Sequence, residues 1–272
     1  LLALAFAQKV NISVVYASPD IHQGDLVIAG NDVYVIENQR FDINGSIIVE
    51  ENATLILKNA IVNFTQTSNG EHTILLRNSV NGNPRLTAEN STITASNYYS
   101  SIELYDNSTA TILDLDAPNK IQLILEDASN VSLSNSILHS VYTYGFATVQ
   151  ISNSTIITNL WGCGHSTITA SSNCTIGRTN TVMYAGALLS TLNVSSSYIE
   201  ICENWAYSVN CSISNLEPGF FKFWNFKDNC SITTCPNSQV PNVTLNDCEI
   251  LKWNFGFLGS SNISISKSSA VS

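Results

Sequence analysis

The seven-residue window ATLILKN, from Ala53 to Asn59, decides the fold because its pattern returns along nearly the whole chain. The pattern is a small residue, Thr or Ser, an apolar residue, any residue, an apolar residue, any residue and Asn. Its copies are Asp32–Asn38, Ala53–Asn59, His72–Asn78, Ser91–Asn97, Ala110–Asp116, Ser129–Asn135, Ala147–Asn153, Ser166–Ser172, Ser190–Ser196, Cys211–Glu217, Cys230–Pro236 and Cys248–Asn254. Their starts lie about 19 residues apart, which indicates a repeat architecture.

Apolar and polar residues alternate inside each window, as they do in a β-strand with one buried face. The third position is apolar in every copy, beginning with Tyr34 and Leu55, so this position is expected to form an inward column. A second alternating run lies between windows, for example Ser46 to Glu50 and Lys120 to Ile124. Each repeat therefore supplies two or three short strands.

One such repeat cannot bury its apolar face alone, whereas a stack of repeats buries a continuous core. The sequence thus predicts an all-β fold, a parallel β-helix (β-solenoid) of about twelve coils of roughly 19 residues. The predicted solenoid spans residues 32–254, between an N-terminal hydrophobic and strand-like segment at 1–31 and a strand-like end at 255–272. The seventh window position should turn a corner and form a stacked ladder, because Asn tolerates the left-handed conformation. The ladder residues predicted in this way are Asn38, Asn59, Asn78, Asn97, Asp116, Asn135, Asn153 and Asn254.

This pattern resembles the pectin-lyase-like superfamily of right-handed parallel β-helix proteins, in which an aliphatic stack and an Asn ladder accompany coils of this size. The resemblance covers roughly residues 32–254 and implies a right-handed coil. It concerns architecture, which hosts many unrelated functions. In composition the chain also resembles secreted archaeal surface glycoproteins.

Charge and composition narrow the function classes. Only 12% of the residues are charged, and the net charge is −10. The 11 Lys and Arg residues are scattered, so a nucleic-acid partner is not expected. The start, Leu1 to Ala7, reads either as a signal-peptide remnant or as a docking end, and it is too short to span a bilayer. Both interpretations favour export to the cell surface without a transmembrane span, and the chain can also be one piece of a longer surface protein.

Fourteen Asn-x-Ser/Thr sequons predict N-glycosylation of an exported chain. Their asparagines are Asn11, Asn44, Asn52, Asn63, Asn90, Asn107, Asn130, Asn153, Asn173, Asn193, Asn210, Asn229, Asn242 and Asn262. Asn52, Asn90, Asn210 and Asn229 directly precede a window, which predicts that they share one corner of the stack.

Seven cysteines follow no metal-binding spacing, so disulfides are the expected use in an exported protein. The candidates are Cys163, Cys174, Cys202, Cys211, Cys230, Cys235 and Cys248. Cys211, Cys230 and Cys248 open consecutive windows, and two of these three can pair across coils. The odd total leaves one thiol free or bonded to another chain, and buried free cysteines remain the alternative.

A catalytic site is not predicted, and no cofactor or metal is expected. Asp114 and Asp116, with Glu126 and Asp127 one coil later, are the best paired carboxylates for glycoside chemistry. The favoured interpretation is a shifted strand frame or a hydrogen-bonded core acid for Asp114 and a ladder role for Asp116. The segment Gly162 to His165 and Arg178 faintly resemble the Gly-His and Arg elements of pectin-cleaving β-helices, but the paired Asp and the Arg-x-Lys that accompany them there are absent. His165 is expected to border a turn. The aromatic run Phe220, Phe221, Phe223, Trp224 and Phe226, with Trp205 and Trp253, fits core packing or stacking on sugar rings.

Uncapped solenoid ends present unpaired strand edges that can recruit further strands. The strand-like ends, Val10 to Tyr16 and Asn262 to Ser266, therefore favour head-to-tail self-assembly. The predicted function is a non-enzymatic structural subunit of an extracellular filament or cell-surface layer. The alternative is a carbohydrate-active β-helix enzyme, a polysaccharide lyase or hydrolase, or a glycan-binding adhesin.

Overall fold

The structure is a computed structural model that describes side chains for residues 21–78, 82–162, 166–171 and 174–175. Further strands in residues 12–15 and 176–270 are described by their backbone and pairing. The described part of the chain is all-β, without a helix. Its strands are β1 (Ile12–Val15), β2 (His22–Gln23), β3 (Leu26–Ile28), β4 (Val33–Glu37), β5 (Arg40–Asn44), β6 (Ile47–Glu50), β7 (Thr54–Lys58), β8 (Ile61–Phe64), β9 (Thr73–Arg77), β10 (Arg85–Thr94), β11 (Ser100–Leu104), β12 (Thr109–Leu125), β13 (Asn130–Ser134), β14 (Ile137–Thr143), β15 (Thr148–Ser152), β16 (Thr155–Gly162), β17 (Thr167–Ser171), β18 (Thr175–Val182), β19 (Ser190–Trp205), β20 (Val209–Pro218), β21 (Phe221–Trp224), β22 (Asn242–Asn246), β23 (Glu249–Ile250), β24 (Trp253–Gly256), β25 (Asn262–Ser266) and β26 (Ser269–Ala270).

All strands except β23 and β26, which pair with each other in a separate two-stranded sheet, stack in parallel into three faces, and the predicted β-solenoid is confirmed. Face A contains β1, β4, β7, the start of β10, the start of β12, β13, β15 and β17, and continues through β19, β20, β22 and β25. Face B contains β2, β5, β8, the end of β10, the middle of β12, and the starts of β14, β16 and β18. Face C contains β3, β6, β9, β11 and the ends of β12, β14, β16, β18 and β19, followed by β21 and β24.

Alternation within the strands builds the core, as the sequence predicts. On face A, Leu55 and Leu57 point inward and are fully buried, whereas the alternate residues Thr54 and Ile56 are partly exposed. Val62 and Phe64 do the same on face B, and their side chains are also fully buried. Burying a side chain of this size stabilises the fold by roughly 1.5–3 kcal/mol. The inward side chains of the three faces therefore form one continuous apolar core.

The predicted period of roughly 19 residues holds for the later described coils, but the earlier coils are longer. Equivalent face A positions are Val33, Thr54, Arg85, Thr109, Asn130, Thr148 and Thr167, so consecutive turns take 21, 31, 24, 21, 18 and 19 residues. The windows at His72 and Ser91 do not open new coils, because they lie on faces C and B. Every strand of a solenoid alternates in the same way, so alternation reveals inward positions without revealing the face.

Left-handed residues turn the corner between faces A and B. Asn38, Asn59, Asn135 and Asn153 have positive φ there, as the ladder prediction requires. The remaining ladder positions are Asn90 and Asp114, with φ of 46° and 53°. The prediction is wrong for Asn78, Asn97 and Asp116, which do not have positive φ, and for Asn254, which is paired on face C.

The corner between faces C and A uses acidic residues for the same turn. Glu51, Asp106 and Asp127 have positive φ, and Gly30 and Gly145 take equivalent positions. Between faces B and C, Ser96 and Lys120 also have positive φ. Gly45 lies at this last corner, where an added Cβ would stand 2.1 Å from the carbonyl oxygen of Gly24 in the preceding coil. Such an approach admits only glycine.

Among the described residues, no helix is long and apolar enough to cross a membrane.

Candidate functional site

The sequon asparagines are mostly accessible where their side chains are described. Six are exposed and only Asn63 is partly buried. The exposed six are Asn44, Asn52, Asn90, Asn107, Asn130 and Asn153. The side chains of the other seven lie outside the described residues. A transferase needs access to the amide nitrogen, so these six positions fit modification.

Local hydrogen bonds divide the accessible sequons. The side-chain amides of Asn107, Asn130 and Asn153 have no hydrogen-bond partner among the described residues. Asn44 Nδ2, by contrast, donates to Gln23 Oε1 at 3.0 Å, and Asn90 Nδ2 donates to Asn59 Oδ1 at 2.8 Å. The amides without a partner are the least hindered acceptors for a sugar.

Asn63 is the sequon that the structure engages most. Its Nδ2 donates to Asp42 Oδ1 at 2.7 Å, and its Oδ1 accepts a hydrogen bond from Thr94 Oγ1 at 2.8 Å. Asp42 also accepts hydrogen bonds from Arg40, and these bonds, with a smaller contribution from Asn63, lower the pKa of Asp42. Modification of Asn63 would disturb this chain of contacts.

The predicted sharing of one corner by Asn52 and Asn90 is wrong. Asn52 lies between β6 and β7, at the corner of faces C and A, whereas Asn90 lies at the corner of faces A and B. The mistake has the same origin as the period, since the window at Ser91 lies on face B. The sequons therefore surround the solenoid at several corners.

The paired carboxylates considered for catalysis do not converge. Asp114 turns the corner between faces A and B with φ of 53°, and Asp116 then starts the face B segment, so the two do not share a face. Glu126 and Asp127 lie at the corner between faces C and A, so face A separates them from Asp114. Asp114 and Asp116 are both exposed.

A different group of carboxylates gathers around Tyr105 at the edge of face C. Tyr105 Oη donates to Glu103 Oε2 at 3.2 Å, and Ser101 Oγ donates to Glu103 Oε1 at 2.5 Å. Burial, followed by the charges of Glu103, Glu126 and Asp127, raises the pKa of Tyr105 to about 12. The phenol therefore stays protonated throughout the physiological range.

Glu126 is the member of this Tyr105 cluster whose negative charge is least favoured by its surroundings. Burial raises its pKa first, and the negative charges of Asp127 and Glu103 raise it further. No Lys or Arg forms an ion pair with these carboxylates among the described residues. The sequence interpretation missed Glu103 and Tyr105, although the alternation in Ser101 to Tyr105 places both on the outward side of a strand.

The outward side of face C is also apolar along one column. Ile48, Leu75, Ile124, Tyr142 and Trp161 occupy equivalent positions, with Glu103 between Leu75 and Ile124. All five apolar side chains are partly exposed, and the Tyr142 and Trp161 ring centroids lie 5.9 Å apart. Soluble proteins generally cover such a column of large apolar groups.

The cysteine prediction meets the described residues only at Cys174. Its buried sulfur lies 3.2 Å from the Ser171 carbonyl oxygen, a contact typical of a thiol donor. Cys211 pairs with Leu192 on face A, and Cys202 pairs with Thr179 on face C, but their side chains are not described. Cys163, Cys230, Cys235 and Cys248 lie outside the described residues. The disulfide pairing stays a prediction.

The remaining candidates are placed by backbone pairing or lie outside the description. Arg178 pairs with Asn159 on face C, while His165, Phe220 and Phe226 are outside the described residues. Trp205 pairs with Trp224, and Phe221 with Trp253, so the aromatic run occupies adjacent rungs of face C. Within the described residues, no three His, Cys, Asp or Glu side chains form a group able to hold a metal ion.

Comparison of the chain with protein-family models, curated proteins and solved structures found no match. The likeness to pectin-lyase-like proteins therefore consists of the parallel β-solenoid itself.

Proposed function

We propose that the chain is a non-enzymatic structural subunit of an extracellular filament or cell-surface layer, coated with N-linked sugars. The observation that carries the proposal is the exposure of six of the seven sequon asparagines whose side chains are described. Sugars would supply the hydration that a surface with 12% charged residues lacks. The pectin-lyase-like architecture and the archaeal type of composition agree with such a coat.

The direction of the strands supports assembly through the ends. Every strand pairing in the solenoid is parallel, so its first rung offers the hydrogen-bonding groups that its last rung needs. Two copies joined in this way make a heterologous contact, which propagates as a filament unless the rotation closes a ring. The strand β1 illustrates the geometry, because it adds to face A in parallel beside β4. A terminal strand exchanged between copies would use the same edge.

Two measurements on the secreted protein test this proposal. Electron microscopy should show filaments or sheets with a subunit repeat along the solenoid axis. Peptide mapping by mass spectrometry should find sugar on Asn107 and Asn153. Unmodified peptides at all six exposed sequons would refute the sugar coat, and isolated particles at high concentration would refute end-to-end assembly.

One feature favours the alternative of a carbohydrate-active β-helix enzyme or glycan-binding adhesin. The Tyr105 cluster combines an acid of raised pKa, Glu126, with carboxylates and aromatic rings on one face. A raised pKa suits a general acid in glycoside hydrolysis. Cleavage of a polysaccharide by the wild type, lost in Glu126→Gln but kept in Asp116→Asn, would establish this alternative.

A further inference from the structure

Face C is free of glycosylation sequons over all eleven of its described strands. Asn63 lies on face B, and Asn130, Asn193, Asn210, Asn242 and Asn262 lie on face A strands. Asn44, Asn52, Asn90, Asn107 and Asn153 lie at strand ends or corners. A chain with a sequon on nearly every coil thus leaves one complete face without any.

The same face carries the outward apolar column of Ile48, Leu75, Ile124, Tyr142 and Trp161. Val27 extends this column at the equivalent position of β3 and is 56% exposed. Faces without sugar and with partly exposed aromatic rings have the composition of protein interfaces. The column runs parallel to the solenoid axis, so a partner that covers it must itself be long.

The two edges of face C carry opposite charges on the same rungs. On the rung of β12, Lys120 stands at the edge toward face B and Glu126 at the edge toward face A. On the rung of β9 the order is reversed, with Glu71 at the first edge and Arg77 at the second. Both are engaged within their own copy, since Arg77 forms an ion pair with Glu50 and Glu71 accepts hydrogen bonds from Thr67 and Ser68. Neither Lys120 nor Glu126 has an ion-pair partner among the described residues.

We propose that a second copy of this chain packs face C against face C, about a two-fold axis parallel to the solenoid axis. That rotation reverses the strand direction, so each edge of one copy meets the other edge of its partner on the same rung. Lys120 then faces Glu126 of the other copy at two symmetric places, and this pair carries the charge argument. Arg77, which is already paired with Glu50 of its own copy, lies opposite Glu71. The apolar columns of the two copies meet at the centre, as an isologous contact requires.

The size of the face suits this partner. Strands of about five residues at ~3.3 Å each, stacked in eleven rungs ~4.8 Å apart, give a face of about 850 Å² per copy. A standard stable interface covers about 800 Å² per partner. The contact goes beyond end-to-end assembly because it joins the walls of two solenoids. The sequon argument rests on the proposed glycosylation, whereas the apolar column and the edge charges are independent of it.

Sedimentation velocity of the full chain over a range of concentrations tests the contact. We expect a dimer that Lys120→Glu and Glu126→Lys each weaken by about 10-fold or more, because either change sets like charges opposite each other at two symmetric places. The double variant K120E/E126K should recover most of the wild-type affinity. No recovery in the double variant, or a monomeric wild type at all concentrations, would overturn the proposal.

Substitutions at the centre of face C provide a second, independent test of the dimer. Ile124→Asp should abolish the dimer, whereas Thr111→Asp at an outward position of face A should leave it intact. In a glycosylating host, Q122N/I124T creates an Asn-x-Thr sequon on face C, with I124T alone as its control. Circular dichroism confirms folding and intact mass confirms the added sugar. A glycosylated Q122N/I124T that still dimerises like I124T would refute the contact, whatever the result for filaments.

Discussion

Replacing Asn59 by alanine isolates the contribution of the Asn ladder at the corner between faces A and B. Asn59 has φ of 49°, donates to Asn38 Oδ1 at 2.9 Å and accepts from Asn90 Nδ2 at 2.8 Å. Alanine cannot relieve the left-handed backbone with a local hydrogen bond, so the turn costs it ~1–2 kcal/mol. The two lost hydrogen bonds are exposed and are worth ~0.5 kcal/mol each. We therefore expect Asn59→Ala to lower the free energy of unfolding by ~2–3 kcal/mol.

Two further variants separate the backbone from the side-chain contribution. Asn59→Gly removes the same hydrogen bonds but accepts positive φ, so its loss should be about 1 kcal/mol smaller than that of Asn59→Ala. Asn97→Ala is the matched control, because Asn97 is exposed, lies at the same window position and does not have positive φ. Its effect should stay within ~0.5 kcal/mol.

Urea unfolding of unglycosylated protein, followed by circular dichroism, measures these differences. Asn59 and Asn97 are not sequons, so sugar does not complicate the comparison. The three variants should keep the wild-type m-value, which shows that the change lies in stability. Equal losses in Asn59→Ala and Asn97→Ala would refute the reasoning, because they would assign the ladder to the window position and not to the left-handed corner.

Three other outcomes follow from the core and from the Tyr105 cluster. Phe64→Ala, at a fully buried site, should destabilise by ~3–5 kcal/mol, while Ile61→Ala, 40% exposed on the same strand, should cost far less in the same urea assay; similar losses would contradict the assigned faces. In an alkaline absorbance titration, Tyr105→Phe should remove a component with a pKa of about 12, and an unchanged titration curve would disprove the cluster. Because the pKa of Glu126 is raised in the folded protein, the folded state loses stability as the pH rises from the unfolded pKa through the folded pKa. Glu126→Gln should therefore raise the free energy of unfolding at neutral pH and leave it unchanged in acid. The opposite pH dependence would exclude the raised pKa.

The inward positions could be predicted from the sequence because burial alternates with a period of two in every strand. The third window position predicts that Leu55, Ile74, Ile93 and Ile112 point inward, and all four are buried. They do not form one column, however, since Ile74 lies on face C and Ile93 on face B. Alternation depends only on the side of a strand, whereas the face depends on how many residues each corner consumes. Corners of different length, as in the turn from Thr54 to Arg85, leave no periodic signal.

The ladder shows how a conformation can be missed by residue type. Asp116 fits the window, but Asp114 adopts positive φ, because the register pairs Leu113 with Glu89 and with Ser134 and thus sets the next residue beside Asn90 and Asn135. Both residues are acidic and both tolerate a turn. Only the pairing register decides between them, and the register is set by long-range contacts. The same limit hid the Tyr105 cluster, whose members come from adjacent coils.

The meaning of the sequons changes once they are assigned to faces. An outward Asn followed two residues later by an outward Ser or Thr is simply polar alternation on a strand, as Asn130 and Ser132 show on face A. Such a face generates Asn-x-Ser/Thr motifs without any need for sugar, so the high count on face A is weak support for glycosylation. A face that lacks the motif on eleven strands is more informative, because face C also alternates yet places apolar and charged residues outward, such as Ile124, Glu103 and Arg77. Under the proposals made above, the faces that carry sequons are the ones expected to bear sugar, and the bare face is the one expected to contact another molecule.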